Sequence, residues 1–393
     1  MNWSPSRNLC DDMKKIAVIT GTRAEYGILK SVLRQIEANP KLNLSLIVIG
    51  MHLSAEFGYT VKEIEEDGFK IDAKIDALHG RDTGGAMAKS IGICMARTAS
   101  ALEKIKPDVL LILGDRSEML VGAVSATYIG IPIAHIHGGD ISGNVDEPVR
   151  HAITKLAHIH FAATKESADR IVKMGEEPWR VHVVGAPGLD LILNEKLLEP
   201  KEIASKYGLD LSKPVVLVVQ HSVITEADDA PKQIRETLEA IVELGYQTVL
   251  IYPNADAGGR RMIEVIRDYE KYPFIKTFRS VVHKEYLSLM RLADVMVGNS
   301  SSGIIEAPSF GLPVVNIGPR QKGRQRAENV IDVDYDKEEI KTAIQKSLYD
   351  EKFKEKVKNV KNFYGDGKAG MRIAHVLSDI KIDKRLLEKR MAY

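Results

Sequence analysis

The sequence has few cysteines and almost no net charge. Cys10 and Cys94 are the two cysteines among 393 residues, too few for a disulfide framework or a cysteine-based metal site. The 55 basic and 54 acidic residues leave a formal net charge of +1, so no overall field attracts nucleic acid or an anionic membrane. We therefore expect a protein of the reducing cytoplasm that has no metal, nucleic acid or membrane as a partner.

Long apolar runs, a secretory signal and a dinucleotide fingerprint are also lacking. No apolar run approaches the roughly 20 residues that a membrane-spanning helix needs. The opening residues, MNWSPSRNLCDDMKK, lack the apolar core of a secretory signal, so residues 1–13 are predicted to form a flexible leader. The loop after the first predicted strand, GTRAEYG, lacks the G-x-G-x-x-G pattern and predicts no dinucleotide site.

The chain does contain a regular alternation of short apolar runs with helix-compatible segments. This alternation predicts an α/β protein built from two Rossmann-like, doubly wound parallel sheets. We predict a first domain over residues 14–188, a second over 189–366, and a segment over 367–393 whose helix packs back on the first domain before a charged tail that frays. Two such domains favour an active site in the cleft between them.

Polar side chains follow two neighbouring predicted strands, Val109–Leu113 and Ile131–Ile136. The carboxyl ends of parallel strands share one edge of a sheet, where ligands bind in open α/β folds. The next loop adds two acids just before Pro148, which suits the first turn of a helix. The candidates on these loops are Asp115, Arg116, His137, Asp140, Asp146 and Glu147.

Each of these candidates also has a purely structural interpretation. Asp146 or Glu147 could cap the following helix, and Asp115 could bond backbone amides at its strand end. The histidines of HIHGGD could be hydrogen-bonded loop residues. Acid–base catalysis requires titratable groups to converge, however, and two adjacent strand ends would supply them. The pattern therefore favours an acid–base site at this edge.

Three loops of the second half carry binding candidates. His221 follows a predicted strand in VQHSVIT, and Asn254 follows another in YPNADAGG. The loop VGNSSSGIIEA places Ser300 and Ser301 between a buried strand and a helix, where amides, hydroxyls and the helix dipole suit a diphosphate. A serine N-cap without a ligand is the alternative. Glu306, one turn later, is a candidate acceptor for ribose hydroxyls.

Two arginines could add positive charge to an anion site. Arg23 lies in GTRAEYG, between the first predicted strand and its helix, and Arg320 follows a later strand in NIGPRQKGR. A guanidinium can bind phosphate or carboxylate through two parallel hydrogen bonds. Ordinary solvated surface residues are the alternative for both.

Seven motifs then identify a resemblance. In order they are GTRAEYG, LGDR, HIHGGDISGNVDEPVRHAITKLAHIHF, QHSVIT, YPNADAG, GNSSSGIIEA and YGDG. Together they resemble the hydrolysing UDP-N-acetylglucosamine 2-epimerases of sialic acid and legionaminic acid precursor biosynthesis, from Lys14 to about Asp379. The resemblance implies a GT-B fold, a nucleotide-sugar substrate, no cofactor, and a homodimer or homotetramer.

The resemblance also implies a reaction. A base removes the proton at carbon 2 of UDP-N-acetylglucosamine while UDP leaves carbon 1, and the glycal intermediate is hydrated on its opposite face to N-acetylmannosamine. By position, Asp115 and Asp146 resemble the acid/base carboxylates. The positions that resemble nucleotide, phosphate and cleft contacts are Arg23, Arg116, His221, Asn254, Ser300, Ser301, Glu306 and Arg320.

One position departs from the family pattern. Many members read H-I-E-G-G where this chain reads H-I-H-G-G, and that glutamate is usually given an acid/base role. An imidazole titrates near neutral pH, so His137 is the replacement candidate, with Asp140 and Glu147 as alternatives.

The same change leaves alternative functions open. A UDP- or GDP-linked 2,4-diacetamido-6-deoxy sugar, as in legionaminic acid synthesis, is an alternative substrate. A non-hydrolysing 2-epimerase, a GT-B glycosyltransferase and a non-catalytic nucleotide-sugar-binding regulator are alternative functions.

Overall fold

The computed structural model describes residues 13–76, 83–142 and 146–392. All but the last residue of the predicted leader therefore lie outside the described residues. Seven parallel strands form a sheet in the first half: β1 (Lys14–Thr20), β2 (Leu42–Ile49), β3 (Ile71–Ile75), β4 (Val109–Leu113), β5 (Ile133–Ile136), β6 (Ile159–Ala162) and β7 (Val181–Val183). They are arranged in the order β3-β2-β1-β4-β5-β6-β7.

Both faces of this sheet are buried, which explains why its strands were recognisable as apolar runs. In β1, Ile16 and Val18 belong to one apolar layer, and Ala17 and Ile19 belong to the layer on the other face. Parallel strands covered on both faces need apolar residues at nearly every position.

Helices cover both faces of the first sheet. They are α1 (Arg23–Ala38), α2 (Val61–Glu66), α3 (Gly84–Ile105), α4 (Ser117–Ile129), α5 (Asp146–Leu156), α6 (Lys165–Lys173) and α7 (Gly188–Asn194). A capping box begins α1: Glu25 N donates to Thr22 Oγ1 at 3.3 Å, and Thr22 N donates to Glu25 Oε2 at 2.9 Å. This box fixes the direction in which the chain leaves β1.

A six-stranded parallel sheet forms the second half. Its strands are β8 (Val215–Val219), β9 (Gln247–Ile251), β10 (Ile275–Phe278), β11 (Val295–Gly298), β12 (Val314–Ile317) and β13 (Val330–Val333), in the order β10-β9-β8-β11-β12-β13. Its helices are α8 (Pro200–Tyr207), α9 (Ala230–Leu244), α10 (Gly259–Asp268), α11 (His283–Leu292), α12 (Ser302–Ile305), α13 (Lys337–Tyr349) and α14 (Glu351–Lys358). The prediction of two doubly wound α/β units is confirmed.

The chain returns to the first half after the second sheet. Ala186 N donates to the Tyr364 carbonyl at 2.6 Å, so the outgoing and returning connectors run side by side. Helix α15 (Ala369–Asp379) then packs against α1. The Asp190 carboxylate accepts from the first amides of α15, Ala369 N at 2.9 Å and Gly370 N at 2.7 Å.

The prediction that the C-terminal tail frays is wrong for residues 381–392. A short helix, α16 (Lys384–Leu387), is held by the buried Arg180, which donates to the Leu386 carbonyl at 2.9 Å and the Arg385 carbonyl at 2.8 Å. The charge of the tail suggested solvation, but its backbone carbonyls are bound by the protein. None of the helices in the described ranges is long and apolar enough to cross a membrane.

Two glycine substitutions should have opposite effects on stability. Gly298, at the end of β11, has φ of +132°, and a Cβ there would lie 2.1 Å from the Val219 carbonyl oxygen. Gly298→Ala should therefore lower the free energy of unfolding by about 3 kcal/mol. Gly92 lies exposed within α3 with open space where a Cβ would point, so Gly92→Ala should raise it by about 0.5–1 kcal/mol. Urea unfolding of both variants measures the two changes, and a destabilised Gly92→Ala would contradict this account.

Candidate active site

The carboxyl ends of the two sheets face each other across a cleft of about 250 Å³. Loops that follow β1, β4 and β5 line one side, and loops that follow β8, β9 and β11 line the other. Every predicted site residue lines this cleft except Asp140 and Glu147. The predicted residues in the lining are Arg23, Asp115, Arg116, His137, Asp146, His221, Asn254, Ser300, Ser301, Glu306 and Arg320.

Asp115 follows β4 and is held by a buried arginine. Arg150 Nη2 donates to the Asp115 carboxylate, while its Nη1 donates to the Asp140 carbonyl at 2.9 Å and to Ser142 Oγ at 3.1 Å. Arg150 lies one turn into α5 and is 2% exposed. One guanidinium therefore joins the loop after β4 to the loop after β5 and holds the Asp115 side chain in place.

His137 follows β5 and pairs with Asp140 behind it. His137 Nδ1 lies 3.2 Å from Asp140 Oδ2, and Ser167 Oγ donates to Asp140 Oδ1 at 2.6 Å. With Nδ1 engaged in this way, Nε2 is the ring nitrogen left for a ligand. Asp140, a predicted catalytic candidate, is 2% exposed and does not line the cleft; it orients His137.

The backbone at His137 is unusual. Its φ is +63°, in the left-handed region that a residue with a Cβ adopts only at a cost of about 1–3 kcal/mol. The neighbouring Gly139 also has a positive φ, and a Cβ there would lie 2.3 Å from the Ser167 carbonyl oxygen. Strain of this kind persists where the surroundings hold a side chain in one position, here at the cleft wall.

Asp146 begins α5 and meets an arginine from the second half. Arg320 Nη2 lies 3.4 Å from Asp146 Oδ2. Burial raises the pKa of Asp146 above its usual value, although Arg320 opposes this change. A carboxyl group of this kind retains a proton at higher pH than an exposed aspartate, which suits proton transfer.

Arg116 lies among acids from both halves of the chain. Its Nε is 3.3 Å from Glu118 Oε2 and its Nη2 is 3.4 Å from Asp256 Oδ1, across the cleft. Burial disfavours the charged guanidinium, but Glu118, Asp256 and Glu25 outweigh burial and raise the pKa of Arg116. Arg116 is therefore a fixed positive charge at the centre of the site.

His221 is a neutral donor at the end of β8. Asn254 N donates to His221 Nδ1 at 3.2 Å, which places the ring proton on Nε2. Burial, and then the charge of Arg320, lowers the pKa of His221 to about 3. The ring can thus donate a hydrogen bond to an anion in the cleft without carrying charge itself.

The serine loop after β11 presents hydroxyls to the cleft. Ser302 N donates to Ser300 Oγ at 3.3 Å, whereas the side chain of Ser301 makes no capping hydrogen bond with α12. Helix α12 has only four residues, so the helix dipole that the sequence predicted is small. The hydroxyls of this loop are the stronger argument for an anion.

Several buried polar atoms of the lining have no hydrogen-bond partner among the described residues. They include Arg23 Nη2, Arg320 Nε, Glu306 Oε2 and Gln321 Oε1. Arg23 is otherwise bound to Glu63, through Nε at 2.9 Å. Buried polar groups are normally paired, so this set marks the surface that a polar ligand with both donors and acceptors would complete.

Glu147 does not face the cleft, although it was a catalytic candidate. Its Oε2 accepts from Ser142 N at 2.9 Å, and its Oε1 lies 3.7 Å from His151 Nε2. It therefore supports the loop after β5 from the first turn of α5, a structural role that differs from the helix cap considered for it.

Three arginines of the lining, Arg150, Arg279 and Arg324, were missed by sequence reasoning. Arg150 lies four residues after Asp146, a spacing that places both on one face of a helix and could have revealed it. Arg324 lies in the basic run NIGPRQKGR, which has the composition of a solvated surface. Its side chain is nevertheless 8% exposed, with Nη2 3.8 Å from Asp140 Oδ2. No sequence signal distinguishes it from its basic neighbours.

Comparison with known proteins identifies the family. The UDP-N-acetylglucosamine 2-epimerase family model matches residues 34–378. A Legionella pneumophila protein named UDP-N,N'-diacetylbacillosamine 2-epimerase (hydrolyzing) is 41% identical, over 97% of this chain and 100% of that protein. The chain belongs to the UDP-N-acetylglucosamine 2-epimerase family.

Other relatives in this family carry mixed names. A Neisseria meningitidis protein named UDP-N-acetylglucosamine 2-epimerase is 36% identical over 85% of this chain and 88% of that protein. A Campylobacter jejuni protein named GDP/UDP-N,N'-diacetylbacillosamine 2-epimerase (hydrolyzing) is also 36% identical, over 81% of this chain and 84% of that protein. The family is shared, but the sugar and the nucleotide differ between names.

Solved structures of the family share the fold. The crystal structure of a Neisseria meningitidis UDP-GlcNAc 2-epimerase bound to UDP-GlcNAc matches with a TM-score of 0.78 at 19% identity, over 93% of this chain and 99% of that chain. The Staphylococcus aureus MnaA–UDP structure matches with a TM-score of 0.77 at 20% identity, over 97% of this chain and 100% of that chain. The predicted GT-B fold is confirmed.

Glu306 should make stability depend on pH. Burial raises its pKa to about 7 from an ordinary 4.5. Its contribution to stability is full below the unfolded-state value and is lost as pH rises through about 7. Glu306→Gln should therefore stabilise the ligand-free protein by about 3 kcal/mol at pH 8 and by less than about 1 kcal/mol at pH 5.

Urea unfolding at the two pH values measures this difference. Glu328→Gln is the matched control, because the Glu328 side chain is 70% exposed. An equal effect of Glu306→Gln at pH 5 and pH 8 would show that Glu306 is not a buried, costly carboxylate.

Proposed function

We propose that this protein is a hydrolysing nucleotide-sugar 2-epimerase. It converts a UDP-linked 2-acetamido sugar and water into UDP and the free sugar inverted at carbon 2. One observation carries the proposal: proton-transfer groups of the first half share a cleft with arginines from both halves, whose buried Arg23 Nη2 and Arg320 Nε atoms have no partner among the described residues.

The first step is an elimination. A base takes the proton from carbon 2, the electron pair of that C–H bond forms the C1=C2 double bond, and the C1–O bond breaks with its electrons on the departing diphosphate. Because the carbon 2 proton is weakly acidic, the leaving group must be stabilised as the proton is removed. Asp115, which is held in place by Arg150, is our candidate base.

Positive charge from both walls of the cleft serves the departing diphosphate. Arg320, Arg23 and Arg116 line the cleft with the Ser300–Ser302 loop and His221. Arg23 Nη2 and Arg320 Nε lack partners among the described residues, so they can bind phosphate oxygens without first breaking a protein contact. We assign these groups to the diphosphate and Glu306 to the ribose hydroxyls.

The second step is hydration of the glycal. Water adds its hydroxyl to carbon 1, and a proton returns to carbon 2 on the face opposite to the one it left. Inversion therefore needs proton-transfer groups on both faces of the ring. His137, oriented by Asp140, and Asp146 are our candidates for the return of the proton and the activation of water.

Two sugars are candidate substrates for this reaction. The sequence motifs favour UDP-N-acetylglucosamine as the first candidate. The full-length relative at 41% identity is named for a UDP-linked diacetamido sugar, which makes the 2,4-diacetamido-6-deoxy sugar the second candidate substrate. His137, in the place of the glutamate of many members, is the residue of this cleft that we associate with the change of sugar.

The experiment that tests the function is proton NMR of purified protein with each nucleotide sugar in deuterated water. UDP-N-acetylglucosamine and the UDP- and GDP-linked diacetamido sugars are supplied separately, without any acceptor. Release of nucleoside diphosphate with a free 2-epimer deuterated at carbon 2 supports the proposal and names the substrate.

Each competing function predicts a different spectrum. A non-hydrolysing epimerase returns a nucleotide-linked epimer, and a glycosyltransferase releases no diphosphate until an acceptor is added. A binding protein without catalysis exchanges no deuterium into any of the three sugars. Any of these results would overturn the proposal.

Asp115→Asn should separate catalysis from binding. The amide cannot take the proton from carbon 2, so turnover should fall by at least about 1,000-fold. The thermal stabilisation that UDP gives should stay within about 1 °C of the wild-type value, since the proposed diphosphate contacts lie on other residues. Asp169→Asn, at an exposed ion pair with Lys165, is the control. Retention of activity in Asp115→Asn would remove Asp115 from the mechanism.

We further propose that the protein works in the cytoplasm, and that its two domains cover residues 14–188 and 189–366. We also propose that it is a homodimer or a homotetramer. The assembly is inferred from the family resemblance alone. Light scattering coupled to size-exclusion chromatography measures it, and a monomer at micromolar concentration would contradict it.

A further inference from the structure

The tail after α15 ends on the helix that carries two residues of the candidate site. Lys389 Nζ donates to the carbonyls of Thr154 at 3.1 Å, Lys155 at 2.6 Å and Ala157 at 2.7 Å. Thr154 and Lys155 belong to the last turn of α5, and Ala157 follows it directly. The ammonium group thus closes the carboxyl end of α5.

This contact meets a general need of helices. The last four carbonyls of an α-helix have no partner within it, and the negative end of the helix dipole favours a cation. The amide of His158, which would continue the helical pattern to Thr154, instead donates to Ile133 in β5. Lys389 supplies the missing donors from a segment more than 230 residues away in the sequence.

Lys389 is itself held in place by an ion pair and by contacts of the tail on both sides. Its Nζ lies 2.8 Å from Glu176 Oε2, and Glu176 is fully buried and also accepts from Lys155 Nζ at 2.5 Å. On either side of Lys389, Arg180 binds carbonyls of the tail, and Ala392 N donates to the Gly175 carbonyl at 2.9 Å. The tail is therefore anchored before and after the lysine.

The other end of α5 lies in the cleft. Asp146 opens the helix and lines the cleft, and Arg150, one turn later, holds Asp115. A movement of α5 along its axis would displace both carboxylates from the sugar while leaving the nucleotide contacts of the second half in place. Misplacement of reacting groups by about 1 Å can reduce a rate by about 100-fold.

We propose that Lys389 is a positioning residue for the epimerase reaction: it caps α5 from the C-terminal tail and thereby sets the location of Asp146 and of the Arg150–Asp115 pair. This inference rests on the proposed function. It assigns a catalytic consequence to a segment that packs against the carboxyl end of α5 and whose described residues, 381–392, do not line the cleft.

The test compares three variants of the full chain. Lys389→Met, which removes the donors but keeps the length of the side chain, should lower kcat by about tenfold and change KM by less than about twofold. Lys389→Arg, which restores donors and charge, should recover at least about half of kcat. Arg390→Met is the matched control, because the neighbouring Arg390 side chain is 83% exposed and pairs only weakly with Glu388.

A second readout does not depend on turnover. Hydrogen–deuterium exchange in peptides that cover residues 146–157 should become faster in Lys389→Met and stay unchanged in Arg390→Met, in protein without ligand. If the wild-type protein turns over none of the nucleotide sugars, the proposed function fails, and the exchange measurement still decides whether Lys389 holds α5.

Several results would overturn the proposal. One is a kcat of Lys389→Met that equals the wild-type value. Another is a fall in its kcat without faster hydrogen–deuterium exchange in α5. A third is a fall in kcat of Arg390→Met as large as that of Lys389→Met. If Lys389→Met does not fold, Lys389→Gln, which keeps one donor group, takes its place. Failure of both variants to fold would also overturn it, since the lysine would then be needed for the fold and not for the placement of one helix.

Discussion

The candidate site depends on one buried guanidinium. Arg150 donates to the Asp115 carboxylate after β4 and to the Asp140 carbonyl and Ser142 hydroxyl after β5, so two loops of different strands share one partner. Burial of an unpaired guanidinium would cost several kcal/mol, which means that the loops cannot separate without leaving this charge unsatisfied. The site is therefore assembled by α5, although its catalytic candidates lie mostly on strand ends.

Charged side chains of the second half pair with those of the first half around the site. Arg320 approaches Asp146, Arg324 approaches Asp140, and Asp256 approaches Arg116, so in each case an acidic and a basic partner from different halves of the chain meet. Burial, followed by the nearby Arg324 and Arg320, lowers the pKa of Arg150 below its usual value. This excess of arginine explains why a neutral chain still offers a strongly cationic pocket, and why an anionic ligand such as a diphosphate suits it.

Much of the fold could be predicted because parallel strands buried on both faces are continuous apolar runs, as in β4 and β8. The short edge strands β3 and β13 were not predicted, since IDAKI and VIDV are half polar. In the site, strand-end residues such as Asp115 and His221 could be found from their place after an apolar run. Arg324 could not, because burial of one arginine in a basic run depends on which loop of the other half covers it.

At His137 the backbone fixes the location of the residue, whatever the chemical type of its side chain. Its positive φ and its contact with Asp140 fix where the residue points, and neither depends on a carboxylate being there. A chain that replaces the glutamate of many family members by histidine can thus keep the location of the proton-transfer group while changing its charge. A histidine presents one ring nitrogen to the sugar instead of the two oxygens of a carboxylate. The strained backbone and the contact with Asp140 therefore hold the side chain of His137 at the cleft wall.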